Sequence, residues 1–388
     1  MSIRFQAALA VALAAAVCTL AFAPAAEPDK KAAADSSQWD QTVDKAIAYL
    51  KAHQAEDGSW GGKQSVGVSG VVLTGMLQTG KVTAKDPAVE KGLKYVESLI
   101  NTKEGHIAGK DPRQQLKNYC TCINVMALTA ADRDSYKAVI SDAVKFLKEL
   151  QWDEGEGKSP KDVYYGGAGY DSQSRPDLSN TQFFLDALQA AGVPKDDPAC
   201  KKAMVFVSRC QNLKTEDNDQ PWAGKINDGT FIYTPVKGSG AGGQTKVDDN
   251  ATAETGLPGY GSMTYAGIKS LIYCGVSKDD ERVKKAYEWI QKNYTVDANP
   301  GMPGPRAEWG LYYYYHTMAK TLEVLGVDEV TDAKGQKHDW RADITAAIAK
   351  RQRPDGSFVN EQEHWEEGDP DLVTGYALMA LSHCKPKK

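Results

Sequence analysis

Candidate chemistry in this 388-residue sequence is confined to a few short stretches. Asp177-Leu178-Ser179-Asn180-Thr181 places a carboxylate, a hydroxyl and an amide within one helical turn. Such residues suit a helix N-cap, where a side-chain oxygen accepts from free backbone N–H groups, and they leave room for polar contact with a ligand. Trp309 and the run Tyr312–Tyr315, followed by His316, put rings and hydroxyls along one segment, although consecutive helical residues cannot all face one way. Tyr260 and Tyr265 come from an earlier helix, and Asp371, Thr374 and Tyr376 from a later one. Polar groups converging on a concave apolar space describe a ligand site. Tyrosines with locally satisfied hydroxyls describe a core. His316 fits either reading, as a catalyst or as a hydrogen-bonded structural histidine.

Other stretches carry less. Cys120-Thr-Cys122 is neither a redox CxxC nor a good zinc pair. Gly238-Ser-Gly-Ala-Gly-Gly243 lacks the Lys-Ser/Thr ending of a phosphate loop and reads as a surface loop or lid. The acidic run Glu361–Asp371 lacks the Asp-x-Asp-x-Asp-Gly spacing of a calcium loop and reads as solvated. No cofactor or metal is expected from these motifs.

The elements that position these residues are repeats. Gln54-Ala-Glu-Asp-Gly-Ser-Trp60 returns as Gln352-Arg-Pro-Asp-Gly-Ser-Phe358 near the other end of the chain. Each copy closes a helical run, with Gly free to take the left-handed backbone of a C-terminal cap. Aligning the preceding helices gives six units anchored at Tyr49-Leu50, Tyr95-Val96, Phe146-Leu147, Phe206-Val207, Trp289-Ile290 and Ala347-Ile348. Five carry a small residue three places earlier: Ala46, Gly92, Ala143, Ala203 and Ala286. That spacing is the apolar stripe of an amphipathic helix. Gln54, Gln151, Gln211 and Gln352 follow their anchors by the same interval, with Ile100 and Tyr294 in the other units.

A second helix in each unit is apolar around most of its girth, which marks it as enclosed by protein. These run roughly 67–78, 118–130, 180–190, 262–274, 311–325 and 373–384. Long loops separate the paired helices at Trp152–Leu178, Asn212–Tyr260 and Thr295–Trp309. An open solenoid needs polar end caps, whereas here the two best motif copies lie in the first and last units. The expectation is an all-α closed ring, six outer helices around six inner ones.

The two motif copies resemble the Gln-Trp motifs of the prenyltransferase and squalene-cyclase repeat family, over residues 38–384. The resemblance implies an α/α toroid with a central cavity that the family's enzymes use for isoprenoids. The segment Arg175-Pro-Asp-Leu-Ser-Asn-Thr-Gln182 resembles exported planctomycete-type members of unassigned function. Class II cyclases carry Asp-x-Asp-Asp-Thr at an inner helix start, and the middle Asp protonates the polyene. Here Asp177 and Thr181 match, but Ser179 stands in the acid's place and Asn180 beside it; a hydroxyl cannot supply that proton. Protein prenyltransferases hold zinc through Asp, Cys and His. Tyr315-His316-Thr317 resembles the surroundings of that His, but Tyr260-Gly261-Ser262 stands where Asp-x-Cys is needed. The thioester motif Gly-Cys-Gly-Glu-Gln of another α/α toroid is absent from the sequence.

Residues 1–25 read as an export signal: Arg4, an apolar run from Ala7 to Ala23, then Ala23-Pro24-Ala25. Val17 before Cys18 argues against a lipoprotein, and residues 26–37 read as a flexible lead-in, with 385–388 as a tail. A periplasmic or secreted location follows, with no stable membrane span once the signal is removed. The six remaining cysteines are read as buried thiols; Cys200 and Cys210 share a helix about 15 Å apart, too far to pair. Net charge of -5 gives no basic footprint, so nucleic acid is excluded as a partner.

Two functions follow from different classes. In one, the toroid is a binding or scaffold protein, holding an apolar, isoprenoid-like molecule in an aromatic cavity or docking an envelope protein. Ser179, Asn180, Thr181, Tyr260, Tyr265, Trp309, Tyr312, Tyr315, Thr374 and Tyr376 are its ligand candidates. In the other, it is a terpene-cyclase or squalene-cyclase-like enzyme using a non-standard acid, with Asp177, His316 or Asp371 as catalytic candidates.

Overall fold

A computed structural model describes residues 30–62, 65–111, 116–238 and 243–386. The expected export signal, including Cys18, lies outside the described residues. Among them, α1 (Lys30–His53), α3 (Pro87–Ser98), α5 (Lys137–Glu149), α7 (Pro198–Arg209), α9 (Glu281–Lys292) and α11 (Trp340–Lys350) form an outer layer. Inside it stand α2 (Gly67–Gln78), α4 (Lys117–Asp132), α6 (Leu178–Ala191), α8 (Gly261–Tyr273), α10 (Leu311–Leu325) and α12 (Pro370–Ser382). Each inner helix packs on the next, and α12 returns to pack on α2, while α11 meets α1 in the outer layer. The ring is closed. The regular strand content of the described residues is one small antiparallel pair, Val330–Thr331 with Lys337–His338.

The outer helices bury only one stripe, and the small residues read from the sequence lie on it. In α9 that stripe is Val283, Ala286 and Ile290; in α3, Gly92 sits under Trp60 and Leu73 of its neighbours. Outer helices start where an Asp caps them: Asp86, Asp197, Asp280 and Asp339 each accept from backbone N–H groups of the first turn. Inner helices are buried nearly all round. α6 and α10 end on left-handed Gly192 and Gly326, and the residue after each donates back into the last turn.

The repeated Gln is what joins one unit to the next. Gln54 Nε2 donates to the Gly58 carbonyl of its own turn (3.0 Å) and to Ala88 O of the following outer helix (2.9 Å). Gln151 does the same with Gly166 and Ala199, and Gln211 with Gly229 and Arg282. In the last unit Gln352 donates to Gly356 O (3.0 Å) and to Thr42 O of α1 (2.9 Å). The inner seam closes equally tightly. A Cβ on Gly75 would lie 2.7 Å from Gly375 O, so both helices need glycine there. Trp39 Nε1 adds a 2.8 Å bond to Leu381 O across the same seam.

One boundary departs from the sequence reading. Residues 30–37, expected as a flexible lead-in, continue α1 toward the N-terminus, because Lys30-Lys-Ala-Ala-Ala is built from strong helix formers. All six cysteines among the described residues are buried, and no described helix is long and apolar enough to cross a membrane.

Gly356 has φ +92° and rests against the Lys45 carbonyl of α1. Gly356→Ala should therefore lose about 2–4 kcal/mol, combining left-handed strain with a backbone collision. Gly335→Ala, at φ +80° in open space, should lose only the strain of about 1–2 kcal/mol. Urea unfolding of the two variants beside wild type measures the difference; equal losses would remove any role for the Gly356 contact in closing the ring.

Candidate functional site

The cavity sits on the ring's axis at the N-terminal ends of the inner helices and measures about 610 Å³. All six contribute: Val68 from α2, Tyr119 from α4, Ser179, Asn180 and Phe183 from α6, Met263 from α8, Tyr313 from α10, Leu372 and Tyr376 from α12. The long loops enter from the same side, bringing Tyr170 and Tyr233, and the segment before α12 brings Trp365, Glu366 and Glu367.

Five of the six tyrosine hydroxyls on this wall pair with their neighbours. Tyr119 and Tyr376 meet oxygen to oxygen at 2.8 Å, and Ser179 Oγ donates to Tyr313 Oη at 3.1 Å. Tyr170 bonds with Tyr233 and Asn180, and Tyr233 bonds with Asp177. A buried hydroxyl already paired offers little to a polar ligand. The wall therefore presents aromatic rings, including an edge-to-face pair of Tyr119 and Phe183 at 5.3 Å.

The proposed ligand residues divide. Ser179, Asn180, Tyr260 and Tyr376 line the cavity. The other six lie outside its lining. Thr181 Oγ1 bonds back to Asp177 O, and Thr374 Oγ1 accepts from Phe358 N. Tyr265 packs against Tyr314, and Tyr315 Oη donates to Val296 O. Tyr312 is wedged between Tyr315 and Phe358, while Trp309 stacks on His364 at 3.5 Å. Helix phase explains the tyrosine run. At about 100° per residue only one of four successive side chains can point inward, and it is Tyr313.

None of the three catalytic candidates touches the cavity surface. Asp177 caps α6, accepting from Asn180 N and Nδ2, both at 2.8 Å. Burial raises its pKa against those bonds. Asp371 accepts from Gly61 N at 3.0 Å beside Tyr49, at the seam of first and last units, and burial raises it too. His316 lies one layer below the cavity, stacked on Phe183 at 6.4 Å. Burial, then Lys269 and Lys320, holds its pKa well below the ordinary value, so the ring is neutral.

The buried carboxyl at the cavity is Glu367, inside the run expected to be a solvated loop. It is buried, accepts from Tyr312 N and Tyr313 N at 2.9 Å, and takes Asn360 Nδ2 at 2.7 Å. It thus serves the free N-terminal N–H groups of α10, and burial pushes its pKa up to about 7. Only its fold position distinguishes it from the exposed acids around it. The two residues before it carry strain: Trp365 and Glu366 have φ +59° and +65°, uncommon for side chains of this size. Trp365 is 43% exposed on the rim. Gly310 faces it with φ +63°, and a Cβ there would sit 2.8 Å from the indole.

Glu367 makes stability depend on pH. Its folded pKa near 7 exceeds the unfolded value of about 4.3. Between those values the native state keeps a proton that the unfolded chain has lost, so stability falls as pH rises through the window. Wild type minus Glu367→Gln should decline by up to about 3 kcal/mol from pH 4.5 to 7.5 in paired denaturant titrations. Parallel profiles for the two proteins would contradict it.

A family model of the squalene-hopene cyclase C-terminal domain matches residues 63–234. No curated protein matches the chain. Among solved structures, a wild-type glycosidase is 13% identical, covering 93% of this chain and 99% of its own at a TM-score of 0.50. A variant of a glycosidase aligns at 12% identity over 93% and 100%, with a TM-score of 0.51. These likenesses speak for the fold. A type II terpene cyclase from Scytonema, bound to geranylgeranyl dihydroxybenzoate, aligns at 12% identity over 91% and 99% with a TM-score of 0.38. The closed double ring makes this chain an α/α toroid, with residues 63–234 similar to the squalene-hopene cyclase C-terminal domain.

Proposed function

We propose that the protein is an exported binding protein whose cavity takes an apolar, isoprenoid-like molecule and performs neither class II cyclase nor zinc prenyltransferase chemistry. The observation that carries this reading is at Ser179. It lines the cavity with its hydroxyl spent on Tyr313, and the resemblance of Asp177–Thr181 to the class II cyclase motif implies that it stands in the place of their acid. The paired hydroxyls leave an aromatic wall, and the volume of about 610 Å³ falls within the roughly 300–1,000 Å³ of small-molecule sites. Affinity would come from ring contact and burial of apolar surface. Docking of an envelope protein against the outer face is compatible with the same cavity.

A second reading, a cyclase-like enzyme with another acid, draws on Glu367, whose carboxyl titrates near neutrality at the cavity. That value suits proton transfer to oxygen or nitrogen. An alkene demands a far stronger acid, and the Glu367 oxygens are engaged by Tyr312 N, Tyr313 N and Asn360. The binding reading is therefore preferred.

Geranylgeraniol titrated into the full chain should change tryptophan emission, because Trp365 stands on the rim, and Trp365→Phe should remove most of that change. Ser179→Trp fills the cavity and should weaken binding at least about tenfold, or 1.4 kcal/mol, with helical content unchanged by circular dichroism. Undiminished binding in Ser179→Trp, or a cyclised product from squalene or geranylgeraniol, defeats the proposal.

A further inference from the structure

The stripes that line the cavity continue down the axis. On α6 Ser179 and Phe183 lead to Asp186, and on α10 Tyr313 and His316 lead to Lys320, each at intervals that keep one face. Seven residues of helix put Asp186 about 10 Å below Ser179, and Lys320 about 10 Å below Tyr313. At that level Lys269 Nζ of α8 donates to Gln182 Oε1 at 2.5 Å and to Asp186 Oδ2 at 2.6 Å. Lys320 Nζ lies 2.8 Å from Asp186 Oδ1. Lys269 and Asp186 are wholly buried, and the Lys320 side chain is 11% exposed.

Two ammonium groups thus share one carboxylate. The next carboxylate, Glu323, is half exposed and already sits 2.7 Å from His383 Nδ1. A buried surplus charge is costly unless something compensates it. Burial pushes the Lys269 pKa down to about 8 even with Asp186 attracting the proton, whereas at Lys320 the attraction of Asp186 outweighs burial and raises it.

Other buried groups at this level are left open. Gln182 Nε2 and both ring nitrogens of His316 have no hydrogen-bond partner among the described residues. Buried polar groups are normally paired. Gln182's carbonyl is taken by Lys269, so its amide offers only donors, and neutral His316 offers one N–H. Ammonium, amide and imidazole donors around surplus positive charge suit an anion and repel a cation.

We infer that the ring's axis contains a second site, for a monovalent anion, built from Lys320, Lys269, Gln182 and His316. The anion has two sources of the same chemistry. One is a free halide or small carboxylate arriving past Lys320. The other is the carboxylate end of the cavity's own ligand; that source rests on the binding function proposed above, while the free anion does not.

Crystals of the full chain soaked in sodium bromide should show an anomalous peak in contact with Lys320 Nζ. Lys320→Met leaves Asp186 paired one-to-one with Lys269 and should lose the peak; His316→Phe, which keeps the stack on Phe183, should weaken it and serves if the lysine variant does not fold. Geranylgeranoic acid bound at least tenfold more tightly than geranylgeraniol, with the preference lost in Lys320→Met, would identify the ligand's head group as the anion. A bromide peak without that preference would identify a free ion. A peak that survives Lys320→Met, or no peak together with equal acid and alcohol binding, overturns the site and leaves the apolar-cavity reading standing.

Discussion

The structure depends on one bidentate hydrogen bond repeated around the ring. A glutamine at the end of an outer helix donates both amide hydrogens, one to its own turn and one to the first turn of the next outer helix. The acceptor is a first-turn carbonyl of the next outer helix at Ala88, Ala199 and Arg282 and a mid-helix carbonyl at Thr42 of α1, so the bond fixes both spacing and rotation. The glycine that follows lets the turn lie flat on the neighbouring backbone. When the sixth unit makes this bond to Thr42, the chain bridges 310 residues and no end remains free. Two units keep the arrangement without glutamine. Tyr294 reaches forward to Asp343 at 2.9 Å, and in the second unit a short bridge between Ile100 and Ile107 holds the turn.

Closure decides where chemistry can occur. Every inner helix starts at the same mouth, so the long connections before α6, α8 and α10 all collect there. The opposite end has shorter connections, the longest being residues 326–339 with the small strand pair. Trp365 and Glu366 hold left-handed backbone at that mouth, which costs of order 1–3 kcal/mol each. Burying Glu367 on the N-terminus of α10 offsets part of this, since its carboxyl replaces solvent at N–H groups that the helix leaves open.

Much of the fold was legible because a period of 3.6 and a recurring Gln-x-x-Asp-Gly turn are both local signals. The six inner helices were located to within about three residues at most ends, as helix limits allow. Residues inside the cavity were harder. Tyr313 was passed over for Tyr312 and Tyr315, since a run of tyrosines does not reveal its own phase. Glu367 resembles its exposed neighbours in every local respect, and only the approach of α10 distinguishes it. The axial charges did leave a trace. Asp186 and Lys269 stand in the middle of helices otherwise apolar enough to be enclosed, and such residues are seldom buried without partners.

Composition therefore misleads in opposite directions at two depths of the same axis. At the mouth, residues that are nominally polar make an apolar wall, because Tyr119, Tyr376, Ser179 and Tyr313 satisfy one another. One layer down, helices that read as apolar deliver Lys269, a carboxylate and a neutral imidazole into full burial, with Lys320 only slightly exposed beside them. Phe183 separates the two levels, meeting Tyr119 above and His316 below. The ring at that position therefore governs how far down the axis any occupant of the cavity can extend.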